Sequence, residues 1–576
     1  MRPVSLLFVM ILAKGIALAD HQVTLNWWSP VAYFWHDAAV ILVAAVLDRA
    51  LTHRPRMAWT AYGVIALYVA INIPVMRVLS TPLTWAMWRA ARGPLADSVR
   101  YYLTWGNALF FLLVFAAAVL TPIALRRVQA RPFVVTCAAI AALGPLAEHR
   151  VETFGLGRNA WTALTISSIP RISPRQPTDW RTEAWTTQGF DRAHQEDLTR
   201  FQGTAAGRNI ILVSLESTSA QYLGLYGASQ DPMPRLSGLA RSAIVFDNAY
   251  AVYPESIKGL FSILCSTYPA FDSGAERYAV PCASLPELLG QRGYRTGLFH
   301  SGRFGYLGME SVIRRRGFET LADAGDIGGN HHSSFGVDEP STVARILQWI
   351  DGLHAGERFF VTYLPIAGHH PYETTEPGPF PDGDSFGRYQ NALHYGDAAL
   401  GELIDGIAAR GLREKTLWII LGDHGEAFGQ HDGNYGHTFQ LYEENIHVPL
   451  LIAAPGLIPH QIRSRQVVSL IDTTPGVLDL VGVPTSVQHQ GRSFLDPAPR
   501  LAFFFADYSL GLLGLRDGGR KVIYELDTNH PRIFDLTSNP GETIDLSGQD
   551  QARTRWYVQN LRAWSSAQHA LLRAAR

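Results

Sequence analysis

Cysteine and net charge are what this sequence has least of. Its 576 residues include three cysteines, and 49 Lys and Arg balance 50 Asp and Glu to a formal net charge of −1. Three cysteines are too few for a fold that depends on a disulfide framework. The balanced charge gives no reason to expect a polyanion such as a nucleic acid as a partner. The length leaves room for more than one domain.

The few cysteines leave one question open. Cys137 lies in an apolar segment and is predicted to be an inert packing residue. Cys265 and Cys282 are close enough in sequence to pair, and they would do so in an oxidising compartment. Two buried free thiols are the alternative.

Apolar residues crowd into the first 150 positions, whereas most His and Asp residues come later. Four segments are near the length that crosses a bilayer, at roughly 31–47, 58–76, 101–125 and 132–147. A fifth, residues 4–19, is interrupted by Lys14 and ends in small residues, so a weak first span and a cleaved signal peptide both stay open. We predict an α-helical transmembrane region of about five spans over residues 1–150.

Arginine placement predicts the orientation of these spans. Alternate loops are assigned to the cytoplasm because they hold Arg2, Arg49, Arg54, Arg56, Arg126, Arg127 and Arg131. The chain after residue 150 then lies outside the cytoplasm. The outer loop with Trp85 and Trp88 is amphipathic at helical spacing, as in a helix at the level of lipid headgroups. Residues 151–207 show no sustained period and are predicted to be a linker along the membrane surface.

Strand-like and helix-like segments alternate after this linker. The predicted strands are 209–215, 294–299, 359–364, 417–421 and 448–453, and the predicted helices are 285–292, 342–353 and 389–410. Such alternation predicts a mostly parallel sheet covered on both faces by helices. Short strands at 501–506, 521–525 and 532–535 predict a small antiparallel C-terminal sheet. We therefore expect an α/β domain over 208–545 and a C-terminal helix over 546–576, whose Arg-rich face meets solvent or the membrane.

Acidic and imidazole side chains follow two of the predicted strands. Glu216 comes directly after the first strand, and Asp423 and His424 come directly after the strand at 417–421. Ligands of open α/β sheets bind at the carboxyl ends of the strands, so these side chains are expected at one edge. Carboxylates and a neutral imidazole suit a divalent metal ion, whereas capping carboxylates are the alternative. The ion's identity stays open among Mn, Zn and Mg.

The stretch Thr416–Pro449 carries a wider pattern, GDHGE followed by YEE and VPL. This pattern resembles the signature of the sulfatase branch of the alkaline phosphatase superfamily. The resemblance implies a sulfatase-like α/β domain whose nucleophile lies near a helix start, a position that Ser256 occupies. Ser256 would then attack the substrate and also bind the metal ion, and the helix N-terminus would offer free backbone N–H groups to an anion. A simple N-cap serine is the alternative, and Thr218 is a rival nucleophile.

The residues after Ser256 separate the branches of this superfamily. True sulfatases need Pro at the second following position and Arg at the fourth for conversion to formylglycine, but this chain has Lys258 and Leu260 there. An unmodified hydroxyl favours phospho-transfer over sulfate hydrolysis. The single acidic residue, Glu216, and the membrane spans resemble those of lipoteichoic acid synthases and phosphoethanolamine transferases. The Trp-x-Arg pair of the synthases is absent, since Tyr306 and Gly308 stand roughly in its place.

Several other side chains are candidates for contact with the substrate. His369 and His370 follow a strand at the same edge, and either could contact a phosphate or protonate a leaving group. The remaining candidates for substrate binding are His300, Arg303, His431 and His437.

These expectations describe a multi-pass protein of a bacterial inner (plasma) membrane, with its catalytic domain in the periplasm or outside the cell. It would move a phosphoglycerol or phosphoethanolamine headgroup from a membrane phospholipid to a glycan, a lipid or water through a covalent serine, and act as a monomer. A membrane-bound sulfatase or phosphoesterase that acts on a soluble ester is the alternative. A non-catalytic binding module is disfavoured by the joint presence of Glu216, Ser256, Asp423 and His424.

Overall fold

A computed structural model of the protein describes residues 1–19, 21–90, 102–175, 189–190, 196–330 and 335–574. The helices of the N-terminal region are α1 Arg2–Leu18, α2 Ser29–Ala50, α3 Pro55–Leu79, α4 Trp85–Ala90, α5 Trp105–Ala124, α6 Arg131–Glu148 and α7 Ala160–Ser167. Within the described ranges, α2, α3, α5 and α6 are long and apolar enough to cross a membrane. This indicates a membrane-anchored protein.

The helical region buries apolar side chains inside and also exposes them outside. Leu6, Ile41 and Val114 lie in one buried cluster between the helices. Val46 is 69% and Ile123 64% exposed on the outer face, as expected for side chains that contact lipid rather than water. The 101–125 prediction begins too early, because α5 starts at Trp105 behind a Thr104 cap.

Lys14 explains how α1 fits into this bundle. Its ammonium group donates to the carbonyls of Leu156, Gly157 and Arg158 at 3.2, 2.9 and 2.9 Å, and it lies 3.2 Å from a carboxylate oxygen of Asp37. A buried charge is tolerated only with such partners. Residues 4–19 thus lie in a helix packed within the bundle, and the choice between a first span and a cleaved signal peptide stays a prediction.

The second region is built on a large sheet. Its strands are β1 Asn209–Leu215, β2 Ala243–Tyr250, β3 Tyr294–His300, β4 Thr320–Ala322, β5 Arg358–Leu364, β6 Thr416–Gly422, the short pair β7 Ala427–Phe428 and β8 Tyr435–Gly436 beside it, β9 His447–Val448, β10 Leu450–Ala453 and β11 Ile462–Ser469. The order is β11-β2-β10-β6-β1-β5-β3-β4, with β10 antiparallel to both of its neighbours.

Helices cover both faces of this sheet, and each face has its own buried apolar cluster. They are α8 Pro234–Ala240, α9 Ser256–Cys265, α10 Leu285–Gly290, α11 Glu310–Ile313, α12 Ala324–Ile327, α13 Glu339–Asp351, α14 Ser385–Ala409, α15 Glu443–Ile446 and α16 Thr473–Leu480. The predicted mostly parallel α/β sheet is confirmed. The predicted strand at 448–453 is two strands, because Pro449 has no N–H to donate and separates β9 from β10.

A four-stranded antiparallel sheet follows, as predicted, with β12 Leu501–Ala506, β13 Leu512–Asp517, β14 Arg520–Glu525 and β15 His530–Asp535 in chain order. The last helix, α17 Gln551–Ala574, packs on this sheet through Tyr557, Leu561 and Trp564. Its apolar face is therefore covered by the sheet rather than by the membrane.

Part of the predicted linker over 151–207 holds the two regions together. The guanidinium group of Arg158 donates to the Thr81 hydroxyl at 2.8 Å and to the Ser509 hydroxyl at 2.7 Å. Thr81 follows α3, and Ser509 lies between β12 and β13. The boundaries of the linker and of the domains stay predictions.

Cys265 and Cys282 form a disulfide, which is the first of the two alternatives, and Cys137 is a buried free thiol. The bond closes a loop with a sequence separation of 17 residues. By the loop-entropy estimate, such a bond stabilises the folded state by about 3 kcal/mol.

We expect Cys282→Ser to lower the thermal unfolding midpoint of the full chain in detergent. Dithiothreitol should lower the midpoint of the wild type by a similar amount and leave that of the variant unchanged, because only the wild type has a bond to reduce. Equal midpoints for wild type and variant under oxidising conditions would show that the bond is not formed.

Candidate active site

Two strand ends bring the predicted metal ligands together. Strands β1 and β6 are paired in parallel, with Leu215 opposite Gly422, so the residues that follow them emerge side by side. Glu216, Asp423 and His424 are all buried there, and one ligand atom from each lies within 4.8 Å of the others.

The glycines around Asp423 are required by close packing. A Cβ at Gly422 would lie 2.4 Å from the Thr218 carbonyl oxygen, and one at Gly425 would lie 2.1 Å from that of Glu444. Both distances are too short for any side chain. The GDHG sequence is therefore a geometric requirement for bringing Asp423 against the end of β1.

Ser256 completes the cluster from the first turn of α9. Its hydroxyl donates to Glu216 Oε2 at 2.9 Å and lies 3.3 Å from His424 Nε2. The N-cap of α9 is Glu255, whose carboxylate accepts from the N–H groups of Ile257 and Lys258. Ser256 is thus not the N-cap, and its side chain is directed at the cluster of Glu216, Asp423 and His424.

Glu255 also corrects one expectation. The helix N-terminus was expected to offer free N–H groups to an anionic substrate, but the Glu255 carboxylate already accepts from two of them. The rival nucleophile Thr218 donates its hydroxyl to the Glu216 carbonyl at 3.0 Å, which is a structural role.

The four candidate ligands are spaced as one tetrahedral ion requires. Ligands 2.1 Å from a metal ion at tetrahedral angles are roughly 3.4 Å apart. His424 Nε2 lies 3.5 Å from Glu216 Oε1 and 3.6 Å from Asp423 Oδ2, and the two Ser256 distances are 2.9 and 3.3 Å. These residues therefore fit a single divalent ion.

The charges of the cluster show why a cation suits it. Burial, together with the nearby Glu216 carboxylate, raises the pKa of Asp423 to about 7. Burial alone would lower the pKa of His424, but the two carboxylates raise it to about 10. Burial alone would raise the pKa of Glu216, as it does that of Asp423. The hydrogen bond between Glu216 and His424 nevertheless holds the Glu216 pKa well below its ordinary value. The buried carboxylates of Glu216 and Asp423 can both be ionised only when a positive charge lies between them.

A second carboxylate–imidazole pair borders the cluster. His437 Nδ1 lies 2.6 Å from Glu426 Oε2, and the other oxygen of Glu426 accepts from the Tyr372 hydroxyl at 2.5 Å. The ring of His437 is 4.3 Å from that of His424. Glu426 was not predicted as a site residue from the sequence, although it is the last residue of the GDHGE motif.

A cavity of about 450 Å³ begins at this cluster. Its polar wall includes four of the predicted substrate-contacting residues, His300, Arg303, His369 and His437. An apolar part of the lining comes from the end of α3, with Pro74, Val75, Val78 and Leu79. This apolar lining was not predicted from the sequence, because no local pattern distinguishes α3 from an ordinary membrane span.

Two of the predicted contact residues lie elsewhere. His431 is not among the residues that line the cavity; it stacks on Tyr442 with ring centroids 3.6 Å apart, and its Nδ1 lies 2.7 Å from Glu444. His370 is also outside the lining and lies 3.2 Å from the Tyr102 hydroxyl. Of the adjacent pair, His369 is the one that faces the cavity.

Comparison with known proteins agrees with this geometry. Residues 208–483 match the Sulfatase family model. Lipoteichoic acid synthase-like YvgJ of Bacillus subtilis is 24% identical over 309 residues, which cover 50% of this chain and 49% of that protein. Arylsulfatase K of Bos taurus is 31% identical over 186 residues, which cover 29% and 34% respectively. This chain thus matches a third to a half of the length of these relatives.

The fold is also that of a solved structure. A protein of the alkaline phosphatase superfamily from Vibrio parahaemolyticus superposes with a TM-score of 0.54 at 21% identity, over 68% of this chain and 94% of that one. Residues 208–483 of this chain are therefore similar to the Sulfatase family, and the fold is shared with the Vibrio parahaemolyticus protein.

Proposed function

We propose that this protein is a metal-dependent transferase that takes the phosphate-containing headgroup of a membrane phospholipid onto Ser256 and passes it to an acceptor. The observation that carries the proposal is the cavity that joins Ser256 to the end of α3. A membrane span and a nucleophile that share one cavity suit a substrate with an apolar part and a phosphate.

The apolar wall fits the diacylglycerol part of such a donor. Leu83 and Met87, which follow α3, extend the wall formed by the last two turns of that helix. Such a wall can hold acyl-chain methylene groups that leave the bilayer without exposing them to water. A small soluble ester would leave this wall without a partner.

The chemistry follows from the positions of the polar side chains. Glu216, Ser256, Asp423 and His424 would hold a divalent ion, which would lower the pKa of the Ser256 hydroxyl when bound. Ser256 Oγ then attacks the phosphorus, and the bond from phosphorus to the diacylglycerol oxygen breaks. The proton that Ser256 Oγ loses passes to that oxygen, and His369, which lines the cavity, can relay it. Attack on phosphoserine by an acceptor oxygen releases Ser256.

The second candidate function is hydrolysis of a soluble sulfate or phosphate ester. The similarity to arylsulfatase K favours it. Lys258 and Leu260 oppose the sulfatase version, because that chemistry uses formylglycine and needs Pro and Arg at these two positions.

The donor headgroup under our proposal is phosphoglycerol or phosphoethanolamine, and the acceptor is a glycan, a lipid or water.

We expect Ser256→Ala to lower release of a radiolabelled phospholipid headgroup by roughly a thousandfold or more, because the attacking atom is gone. Ser262→Ala is the matched control: it removes another hydroxyl of α9, one that donates only to the Lys258 carbonyl, and should keep activity. The assay uses the full chain in vesicles of headgroup-labelled phosphatidylglycerol or phosphatidylethanolamine.

Peptide mass spectrometry of the trapped enzyme identifies the modified residue. Phosphate on Ser256 supports the proposal. Formylglycine at this position would overturn it in favour of a sulfatase, and phosphate on Thr218 would move the nucleophile without changing the reaction class.

We expect Asp423→Asn to lose the bound metal ion during dialysis, since removing a charged ligand leaves too few donors. The thermal unfolding midpoint of the metal-free variant should not fall below that of the metal-free wild type, because one of two adjacent buried carboxylates has been neutralised. Asp382→Asn, at an exposed position, is the control. Unchanged metal content in Asp423→Asn, measured by elemental analysis, would refute the ligand assignment.

We also propose that the spans place residues after 150 outside the cytoplasm of a bacterial cell. The alternate Arg-rich loops and the Cys265–Cys282 disulfide support this orientation. A C-terminal β-lactamase fusion should give ampicillin resistance, and a C-terminal fusion to green fluorescent protein exported through the Sec pathway should stay dark. The reverse pair of results would contradict the orientation.

A further inference from the structure

The short helix α15 contacts two backbone segments that carry residues of the site. The buried Asn445 accepts, through its carbonyl, from the N–H of Gly425 at 2.8 Å, directly after His424. The Asn445 side-chain amide donates to the carbonyls of Gly436 and His437 at 3.2 and 3.4 Å. A shift of α15 would therefore move the backbone beside His424 and the backbone that carries His437.

The first residue of α15 is held by a carboxylate from far along the chain. The N-cap residue is Tyr442 rather than one of the usual capping residues. Glu542, which follows the C-terminal sheet, accepts from the N–H of Glu443 through Oε2 at 2.7 Å. Its Oε1 lies 2.8 Å from the ammonium group of Lys521, which also donates to Glu443 Oε1 at 3.0 Å. Because Glu542 and Lys521 are buried, this contact joins α15 firmly to β14.

The placement of Glu542 costs free energy. Burial raises the pKa of Glu542 to about 7, although the attraction of Lys521 opposes this. Burial would also raise the pKa of Glu443, but Lys521, His447 and Arg516 hold it below its ordinary value. The backbone of Glu542 has a φ of +50°, in the left-handed region that favours glycine. A carboxylate kept in a buried and strained position points to a role for the contact that it makes.

We infer that Glu542 is a positioning residue for the catalytic cavity: it holds the first turn of α15, and α15 holds the backbone at His437, whose side chain lines that cavity. Lys521 keeps the Glu542 carboxylate in place. Glu426 orients the imidazole ring of His437, whereas α15 fixes the chain that carries the ring. The inference rests on the proposed function for the reaction that is measured, and it gives the YEE sequence a role in the site.

Glu542→Ala and Glu542→Gln test the contact in two steps. The amide oxygen of Gln can still accept from the Glu443 N–H, whereas Ala cannot, so the Gln variant should lose less activity. Lys521 stays paired with Glu443 in both variants, so no buried charge is left without a partner that would prevent folding. Glu402→Gln, at an exposed position of α14, is the control.

Donor cleavage is measured with the full-length protein in vesicles of headgroup-labelled phosphatidylethanolamine or phosphatidylglycerol, and rates are divided by the concentration of metal-loaded protein. We expect Glu542→Ala to lower kcat/KM by roughly tenfold or more, because the backbone that carries His437 moves. In the His437→Ala background the same change should lower kcat/KM by less than about twofold, since the residue through which Glu542 acts is already absent. Glu402→Gln should have no effect in either background.

Hydrogen–deuterium exchange gives a readout that does not depend on turnover. Exchange of backbone amides over 425–437 should rise in Glu542→Ala, rise less in Glu542→Gln and stay unchanged in Glu402→Gln. Exchange in β1 should stay unchanged in all three, because a local displacement differs from a general loss of stability.

The outcomes separate two failures. Equal losses of kcat/KM in the wild-type and His437→Ala backgrounds overturn the positioning role, because Glu542 would then act on something other than His437. Unchanged exchange over 425–437 in Glu542→Ala overturns it as well. If the wild-type protein cleaves neither phospholipid, the proposed function fails, and the exchange measurement alone decides whether Glu542 positions this segment.

Discussion

Two carboxylates, Glu216 and Asp423, are buried side by side at the end of neighbouring strands, and much of the domain is arranged around that fact. Like charges so placed cannot both stay ionised without a positive charge between them. The protein supplies His424 and directs the Ser256 hydroxyl at the same point. The parallel pairing of β1 with β6 brings the two carboxylates together, and the glycines on either side of Asp423 and His424 let the chains approach.

A second set of contacts aligns this cluster with the membrane region. The loop Asp507–Ser509, between β12 and β13, makes hydrogen bonds to both regions of the chain. On one side Asp507 accepts from Lys258, two residues after Ser256. On the other, the Ser509 hydroxyl bonds that of Thr81 at 2.6 Å, just beyond α3. The helix that begins at Ser256 and α3, which lines the cavity beside it, are thus held by one short loop, which explains how a cavity can be shared between two regions of the chain.

The sequence was sufficient to predict those elements that a local pattern of residues marks. Strands β1 and β6 are continuous apolar runs, and the GDHGE motif follows one of them directly. It was insufficient for β2 and β11, where Asp247, Asn248, Arg463 and Arg465 interrupt the apolar pattern because one strand lies at the edge and the other next to it. Glu255 was missed as a cap because the neighbouring serine is the commoner cap residue. The apolar wall from α3 depends on packing between residues far apart in sequence.

The difference between local motifs and packing between distant residues also bears on which reaction this enzyme performs. Hydrolysis and transfer can share the metal cluster, the nucleophile and the first half-reaction, so the motifs that identify the family do not separate them. What separates them is the space around Ser256. A hydrolase needs access for water alone, whereas a transferase needs a second place where an acceptor is held next to the nucleophile. A second cavity shares Glu255, Ile257, Leu307 and Tyr508 with the catalytic cavity, so there is space beside Ser256. The choice between the two reactions therefore lies in the loops and helix ends around the sheet, not in the cluster at its edge.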